Sequence, residues 1–126
     1  MKRDMELIRA ILRHVQARNS ISPEEVEIDG HEDWIVSRHV EMLADAGFLQ
    51  TAGTLRTEEL LIIPVIDLTW EGHDFVAALE NEGIWAKIKQ AFPPSELAGM
   101  PLALVKGMGL KLLEAYAMQK IGLTSG

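Results

Sequence analysis

The sequence predicts an α+β fold in which helices surround one β-hairpin. Apolar residues recur at helical spacing over most of the chain, which indicates amphipathic helices. In the middle, two apolar runs at residues 48–53 and 60–68 flank the polar loop TLRTEE, a pattern typical of a hairpin. A chain of 126 residues has room for one substantial core, so we expect these elements to pack together.

The first part of the chain predicts a helix, a short strand and a second helix. The first helix covers residues 4–18, and the segment EVEI at residues 25–28 alternates as a strand does. The second helix covers residues 32–46, and His39 lies beside its apolar stripe, where we expect a histidine that is hydrogen-bonded to the backbone. Gly47 should end this helix in the left-handed conformation.

The remaining part predicts the hairpin and three further helices. Pro64 lacks an amide hydrogen, so it should mark a sheet edge or a bulge. Thr69 is expected to cap a helix that continues to Glu80. A fourth helix at residues 83–92 should stop at the two prolines that follow, and the last helix is predicted over residues 101–121.

This order of elements predicts a winged-helix-like domain over residues 1–80, with the hairpin at residues 48–68 as the wing. Residues 81–126 would form a C-terminal helical extension that packs on this domain or makes a dimer interface. A usual winged helix has another helix before the recognition helix, but only the residues DGHE stand at that place. That helix should therefore be missing or reduced to one turn, which weakens the analogy with DNA-binding proteins.

Composition excludes several classes of site. The chain has no cysteine, so it has no disulfide and no thiolate metal site. The first residues lack the pattern of a signal peptide, and no apolar run is long enough for a membrane helix. We therefore expect a cytoplasmic protein without a membrane partner. No cofactor-binding motif occurs, and no cofactor is predicted.

The segment LTWEGHDF, at residues 68–75, places acids beside His73 and raises the hypothesis of a metal-dependent enzyme. The imagined ligands are His39, Asp67, Glu71, His73 and Asp74. Helical metal motifs place ligands on one face, for example four residues apart. His73 is instead adjacent to Asp74 and two residues from Glu71, so these side chains diverge.

Helix capping explains the same segment better. Thr69 is a good N-cap, because its hydroxyl can accept a bond from a free amide of the first turn. Gly72 is unfavourable inside a helix, so we expect it to permit close approach of another helix or the sheet. Trp70 and Phe75 are expected to supply buried area.

DNA binding would use the outer face of helix 32–46 and the wing. Ser37 and Arg38 on the helix and Arg56 on the wing are the candidate contacts. Residues 21–47, however, hold eight acids and one base. Because acids repel phosphates, this charge disfavours DNA as a partner.

The last helix carries more apolar surface than one core contact needs. The candidate dimer interface consists of Leu102, Val105, Met108, Leu112 and Tyr116. The helix could form a homodimer through residues 101–121 or pack across its own domain, and the pattern of this helix alone does not separate the two. Its polar side is not strongly basic, so binding to a membrane surface is disfavoured.

Three segments carry a resemblance to a known family. They are MKRDMELIRAIL, HEDWIVSRHVEMLADAGFL, and LTWEGHDFVAAL with IWAKIK after it. In this order they resemble bacterial and phage-borne proteins grouped as domain of unknown function 2513, over about residues 1–90. The resemblance implies a small winged-helix-like, phage-related protein, and it brings no catalytic residues.

These observations predict a non-enzymatic interaction or regulatory module whose protein partner is unknown. We expect it to be a homodimer. The alternative is a DNA-binding transcriptional regulator that uses helix 32–46 and the wing. A metal-dependent enzyme around His73 is the third and least favoured hypothesis.

Overall fold

Two helices precede four short antiparallel strands, and the remaining helices follow them. The computed structural model describes residues 1–123, so the last three residues of the predicted extension lie outside it. The helices are α1 (Met5–Ala17), α2 (Asp33–Asp45), α3 (Trp70–Leu79), α4 (Glu82–Ala91), α5 (Pro94–Gly99) and α6 (Leu102–Lys120). The strands are β1 (Leu49–Thr51), β2 (Leu55–Arg56), β3 (Leu61–Ile62) and β4 (Val65–Leu68). The predicted α+β class is confirmed.

Helix α1 packs in the middle of the fold. Asp4 begins it, because one of its carboxylate oxygens accepts bonds from the amides of Glu6 at 2.9 Å and Leu7 at 3.2 Å. The helix contacts α2, α3, α5 and β4. One hydrophobic cluster contains residues of α1, α2, α3 and α5. The predicted domain at residues 1–80 therefore shares a core with part of the predicted extension that begins at residue 81.

The predicted hairpin is present in two parts. Strand β1 pairs with β4, and β2 pairs with β3 beyond them, so the ladder extends into the predicted loop. Pro64 lies in the break between β3 and β4, and the register of β1 against β4 shifts at Gln50/Thr51. The prediction that this proline marks an irregularity is confirmed, since proline cannot donate to a ladder.

The segment EVEI does not form the predicted strand. Instead Glu24, just before it, makes an isolated bridge with Val65 through two backbone bonds of 3.1 and 2.7 Å. The alternation reflects side-chain burial, because Val26 is buried and Ile28 half-buried while their neighbours are exposed. A turn at Gly30, with φ of +85°, then leads into α2.

Helix α5 was not predicted from the sequence. Pro93 and Pro94 end α4 as expected, but Pro94 also stands at the first position of α5. Proline suits that position, because a first-turn amide has no helical partner anyway. Leu97 then turns inward and joins the core.

Helix α6 ends as the sequence predicts. Ile121 is its C-cap, and Gly122 follows with φ of +84°. Its first half packs on α3 and α4. Within residues 1–123, no helix combines the length and apolarity that crossing a bilayer requires.

Candidate functional site

The outer face of α2 and the wing meet at one carboxylate. Arg38 and Arg56, predicted as separate DNA contacts, both form ion pairs with Glu41. The hydrogen bond from Arg56 holds the pKa of Glu41 below its ordinary value. Ser37 lies beside Arg38 and is half-buried. The structure therefore brings the two arginines together, but an internal acid offsets part of their charge.

The LTWEGHDF segment forms the junction between α2 and α3. The hydroxyl of Thr69 accepts a bond from the amide of Gly72 at 3.0 Å and donates one to the carbonyl of Gly47 at 2.5 Å. The amide of Thr69 donates to the carbonyl of Phe48 at 3.1 Å. The Phe48 ring contacts the fully buried Phe75, with ring centroids 4.8 Å apart. The capping explanation of this segment is confirmed.

The expected burial of Trp70 is wrong. Its residue is 84% exposed, because it is the first residue of α3 and the inner face of that helix begins at Gly72. The indole lies near the exposed imidazole of His73, with ring centroids 6.3 Å apart. The junction thus presents an aromatic surface to solvent.

The imagined metal ligands do not converge. Asp67 and His73 both line a shallow cavity of about 220 Å³, together with Trp70. One oxygen of Asp67 accepts a bond from the amide of Leu68 at 2.7 Å. In the part of the chain that the structure describes, no three His, Asp or Glu residues are placed to hold a metal ion. The geometry leaves only an acid and an imidazole side by side.

His39 is fully buried between α1 and α2. Its Nε2 accepts a bond from the amide of Asp4 at 2.9 Å, so Nδ1 carries the proton and donates to the carbonyl of Ile35 at 2.8 Å. Burial lowers the pKa of the imidazole, the nearby Arg3 and His31 lower it further, and the bond to Ile35 and the charge of Asp4 oppose this. The prediction of a structural, backbone-bonded histidine is confirmed.

We expect the protein to lose stability as the pH falls below about 6.5, the ordinary value for histidine. The unfolded chain takes up a proton there while folded His39 stays neutral, so protons favour the unfolded state. The contribution of neutral His39 to the free energy of unfolding is complete above that pH. It is lost progressively as the pH falls towards the lowered pKa of the folded state. Urea unfolding at pH 7.5, 6.5 and 5.5 measures it.

The matched control is the exposed His73. His73→Gln should keep the pH dependence between 7.5 and 5.5, whereas His39→Gln should flatten it and lower the free energy of unfolding throughout. A wild-type protein of equal stability at the three pH values would show that His39 is not held neutral.

The proximal half of α6 packs against the core of its own chain. Leu102 and Val105, predicted as dimer contacts, are buried in the core and cannot line an interface surface. Gly109 brings α6 close to α3, since a Cβ there would lie 2.9 Å from that of Ala78. Met108 and Leu112 are half-buried against the core, and only Tyr116 of the predicted set is exposed.

The distal part of α6, residues 114–123, lies on the surface, and its Ala115, Tyr116 and Gln119 line a shallow cavity of about 200 Å³ with the start of α4. We call it the distal segment; all of its residues are exposed. Its large apolar residues are Tyr116, Met118, Ile121 and Leu123. Ile121 is 69% exposed and Leu123 62%. Such a run of apolar side chains at a helix end is typical of an interaction surface.

The fold and its surfaces define a small α+β protein with a structural histidine, an acid-bridged pair of arginines and an exposed apolar helix end. The chain belongs to the family described as "Hypothetical protein (DUF2513)", whose model matches residues 2–96. The match ends within α5, so α6 lies outside it. The resemblance predicted from the sequence is confirmed.

A relative in Haemophilus influenzae supports the same assignment. It is an uncharacterized protein, 30% identical over 101 residues, and the match covers 77% of this chain and 83% of the relative. No solved structure matches the chain.

Proposed function

We propose that this protein is a non-enzymatic interaction module that pairs with a second copy of itself through the distal segment. The observation that carries the proposal is the exposure of the apolar side chains from Tyr116 to Leu123, beyond the last core contact of α6. Burying them would remove apolar area from water, at about 25 cal/mol per Å². The proximal half of the helix, with Leu102, Val105 and Gly109 buried, attaches the segment to the body of the protein.

The charges of the distal segment favour a second copy as the occupant. A twofold contact puts a surface against itself, so a surface with net charge repels its partner. The whole chain carries −7, but the distal segment holds only Glu114 and Lys120, which cancel. Self-association here therefore avoids the repulsion that the acidic body would cause elsewhere.

The spacing of these charges also suits an antiparallel pair. Glu114 and Lys120 each lie three residues from Ala117, on its side of the helix. If two copies cross at Ala117, Glu114 of one copy faces Lys120 of the other at both ends of the contact. Ile121 lies on the same side of the helix, and Tyr116 and Met118 flank the contact at about 100° to either side. Ala117 is small and exposed, so the two helices can approach closely there.

The scaffold of this module is winged-helix-like. Its order of α1, an extended segment, α2 and the hairpin supports the assignment, and so does the bridge between Glu24 and Val65, which lies where a winged helix has its first strand pairing. The turn at Gly30 replaces the additional helix. Such a scaffold fits a regulatory role whose further partners are proteins.

A DNA-binding role for the same scaffold has less support. Arg38 and Arg56 would have to leave Glu41 before they could contact a base or a phosphate. Breaking such pairs and facing the acids of α2 both oppose binding. The wing and α2 are therefore proposed as a supporting structure rather than a DNA-reading surface.

Light scattering after size-exclusion chromatography tests the dimer. We expect twice the monomer mass for the wild type and the monomer mass for Ala117→Glu, which puts two like charges at the crossing. Ala103→Glu is the matched control, because Ala103 is an exposed alanine at the proximal end of the same helix. It should leave the dimer intact.

Charge exchange tests the antiparallel arrangement. Glu114→Lys should weaken the dimer by repulsion from Lys120 of the second copy, and adding Lys120→Glu should restore it. A wild type that stays monomeric at high micromolar concentration, or equal effects of Ala117→Glu and Ala103→Glu, would refute the proposed interface.

A further inference from the structure

A cavity lies between the start of α1, α4 and α5. Its volume is about 410 Å³, within the range of small-molecule sites. The apolar part of its wall consists of Met5, Trp85, Phe92, Pro94, Leu97 and Ala98. Two aromatic rings and several aliphatic side chains thus offer an apolar body of a ligand a place out of water.

The acids beside this cavity are already engaged. The carboxylate of Asp4 caps α1 through the amides of its first turn. The carboxylate of Glu6 binds Lys89 Nζ at 3.0 Å and accepts from Trp85 Nε1 at 3.3 Å. Glu6 and Lys89 therefore offset each other, whereas the negative charge of Asp4 is balanced only in part by the start of α1.

Two cations that line the cavity have no such counter-ion. Within residues 1–123, neither Lys2 nor Arg3 forms an ion pair. Arg3 donates from Nη2 to the carbonyl of Leu97 at 3.2 Å, but its Nε is buried and has no partner among the described residues.

An unpaired donor on a half-buried cation is costly. Burial removes part of the positive charge of Arg3 from water and so lowers its pKa. An anion bound in the cavity would supply the missing opposite charge to the guanidinium group of Arg3. A ligand that fits this cavity would therefore need an apolar body for the wall and a negative charge for the cationic rim.

We propose that this cavity binds a small amphipathic carboxylate. Its apolar body packs on Trp85, Phe92 and Leu97, and its carboxylate accepts hydrogen bonds from Arg3 with Lys2 nearby. The site is distinct from the distal segment of α6 and does not depend on the protein's being a dimer.

Calorimetric titration with octanoate, below its micelle concentration, tests the site. We expect saturable binding to the wild type and at least about tenfold weaker binding to Arg3→Gln, since a hydrogen bond to a charged group contributes that much or more. Octanol, which has the same chain without the charge, should bind more weakly and should not distinguish the wild type from Arg3→Gln.

Two further variants locate the binding. Arg13→Gln removes an arginine of α1 that lies outside the cavity and should bind octanoate as the wild type does. Ala98→Phe fills part of the cavity and should weaken both ligands. Circular dichroism checks that each variant is folded.

Three outcomes overturn the proposal. They are no octanoate binding at millimolar concentration, equal losses in Arg3→Gln and Arg13→Gln, and undiminished binding to folded Ala98→Phe. Should Arg3→Gln fail to fold, Lys2→Gln takes its place, and undiminished octanoate affinity in that variant has the same meaning.

Discussion

Gly72→Ala should lower the free energy of unfolding by roughly 3 kcal/mol, the upper part of the range for overpacking. A Cβ at this position would lie 2.0 Å from the carbonyl oxygen of Phe48, where no side chain can turn aside. The same carbonyl accepts the amide of Thr69 at 3.1 Å, so moving it would also disturb the start of α3. Urea unfolding followed by circular dichroism measures the loss.

Gly107→Ala is the matched control for this substitution. Gly107 is also helical, but a Cβ there would meet nothing within 4 Å. Replacing it should raise the stability by roughly 0.5–1 kcal/mol, the usual advantage of alanine over glycine in a helix. If Gly72→Ala were as stable as Gly107→Ala, the close approach of α3 to the backbone of Phe48 would be wrong.

Local chemistry explains why this junction could be predicted from the sequence. A hydroxyl at Thr69, a glycine three residues on and the left-handed Gly47 are signals whose partners lie within a few residues. The start of α3 and the end of α2 follow from these signals alone. The backbone bond of His39 was predicted in the same way, because an imidazole beside the apolar stripe of a helix needs a nearby hydrogen-bond partner.

Elements that depend on distant contacts were predicted less well. The alternation in EVEI is compatible with a strand, but pairing requires a free edge, and only Glu24 reaches Val65. Helix α5 has a local signal in Pro94, but the same proline also stops α4, and the break in the helical pattern predicts only the stop. Trp70 is the first residue of α3 and lies outside its buried face, and its hydrophobicity alone does not reveal this.

The candidate sites depend still more on distance along the chain. Arg38 and Arg56 were both identified, but their shared partner Glu41 is fifteen residues from Arg56 and became visible only in the folded chain. The cavity combines the first residues of the chain with α4 and α5, so no local pattern announces it. For α6 the sequence predicted more apolar surface than the core needs, and exposed apolar side chains are found. It did not predict that the proximal half would be the part buried in the core.

Arg9→Met should lower the free energy of unfolding by roughly 2–4 kcal/mol, because it leaves buried acceptors without a donor. Arg9 is a buried charged residue whose Nε donates to the carbonyl of Leu79 at 2.6 Å. Its Nη2 reaches the carbonyl of Glu80 at 3.5 Å and the carboxylate of Glu82 at 3.0 Å. The guanidinium group of Arg9 thus caps the C-terminal end of α3, where the helix dipole favours positive charge. Thermal and urea unfolding measure the loss.

Arg13→Met separates this role from general charge effects. Arg13 lies one turn further along α1, is about half exposed, and approaches Glu82 only to 3.7 Å. Both substitutions remove one positive charge and keep a side chain of similar length, but only Arg9 serves backbone carbonyls. We therefore expect a much smaller loss from Arg13→Met. Losses of equal size would mean that α1 and α3 are joined by apolar packing and net charge, and that the bonds from Arg9 to the end of α3 contribute little.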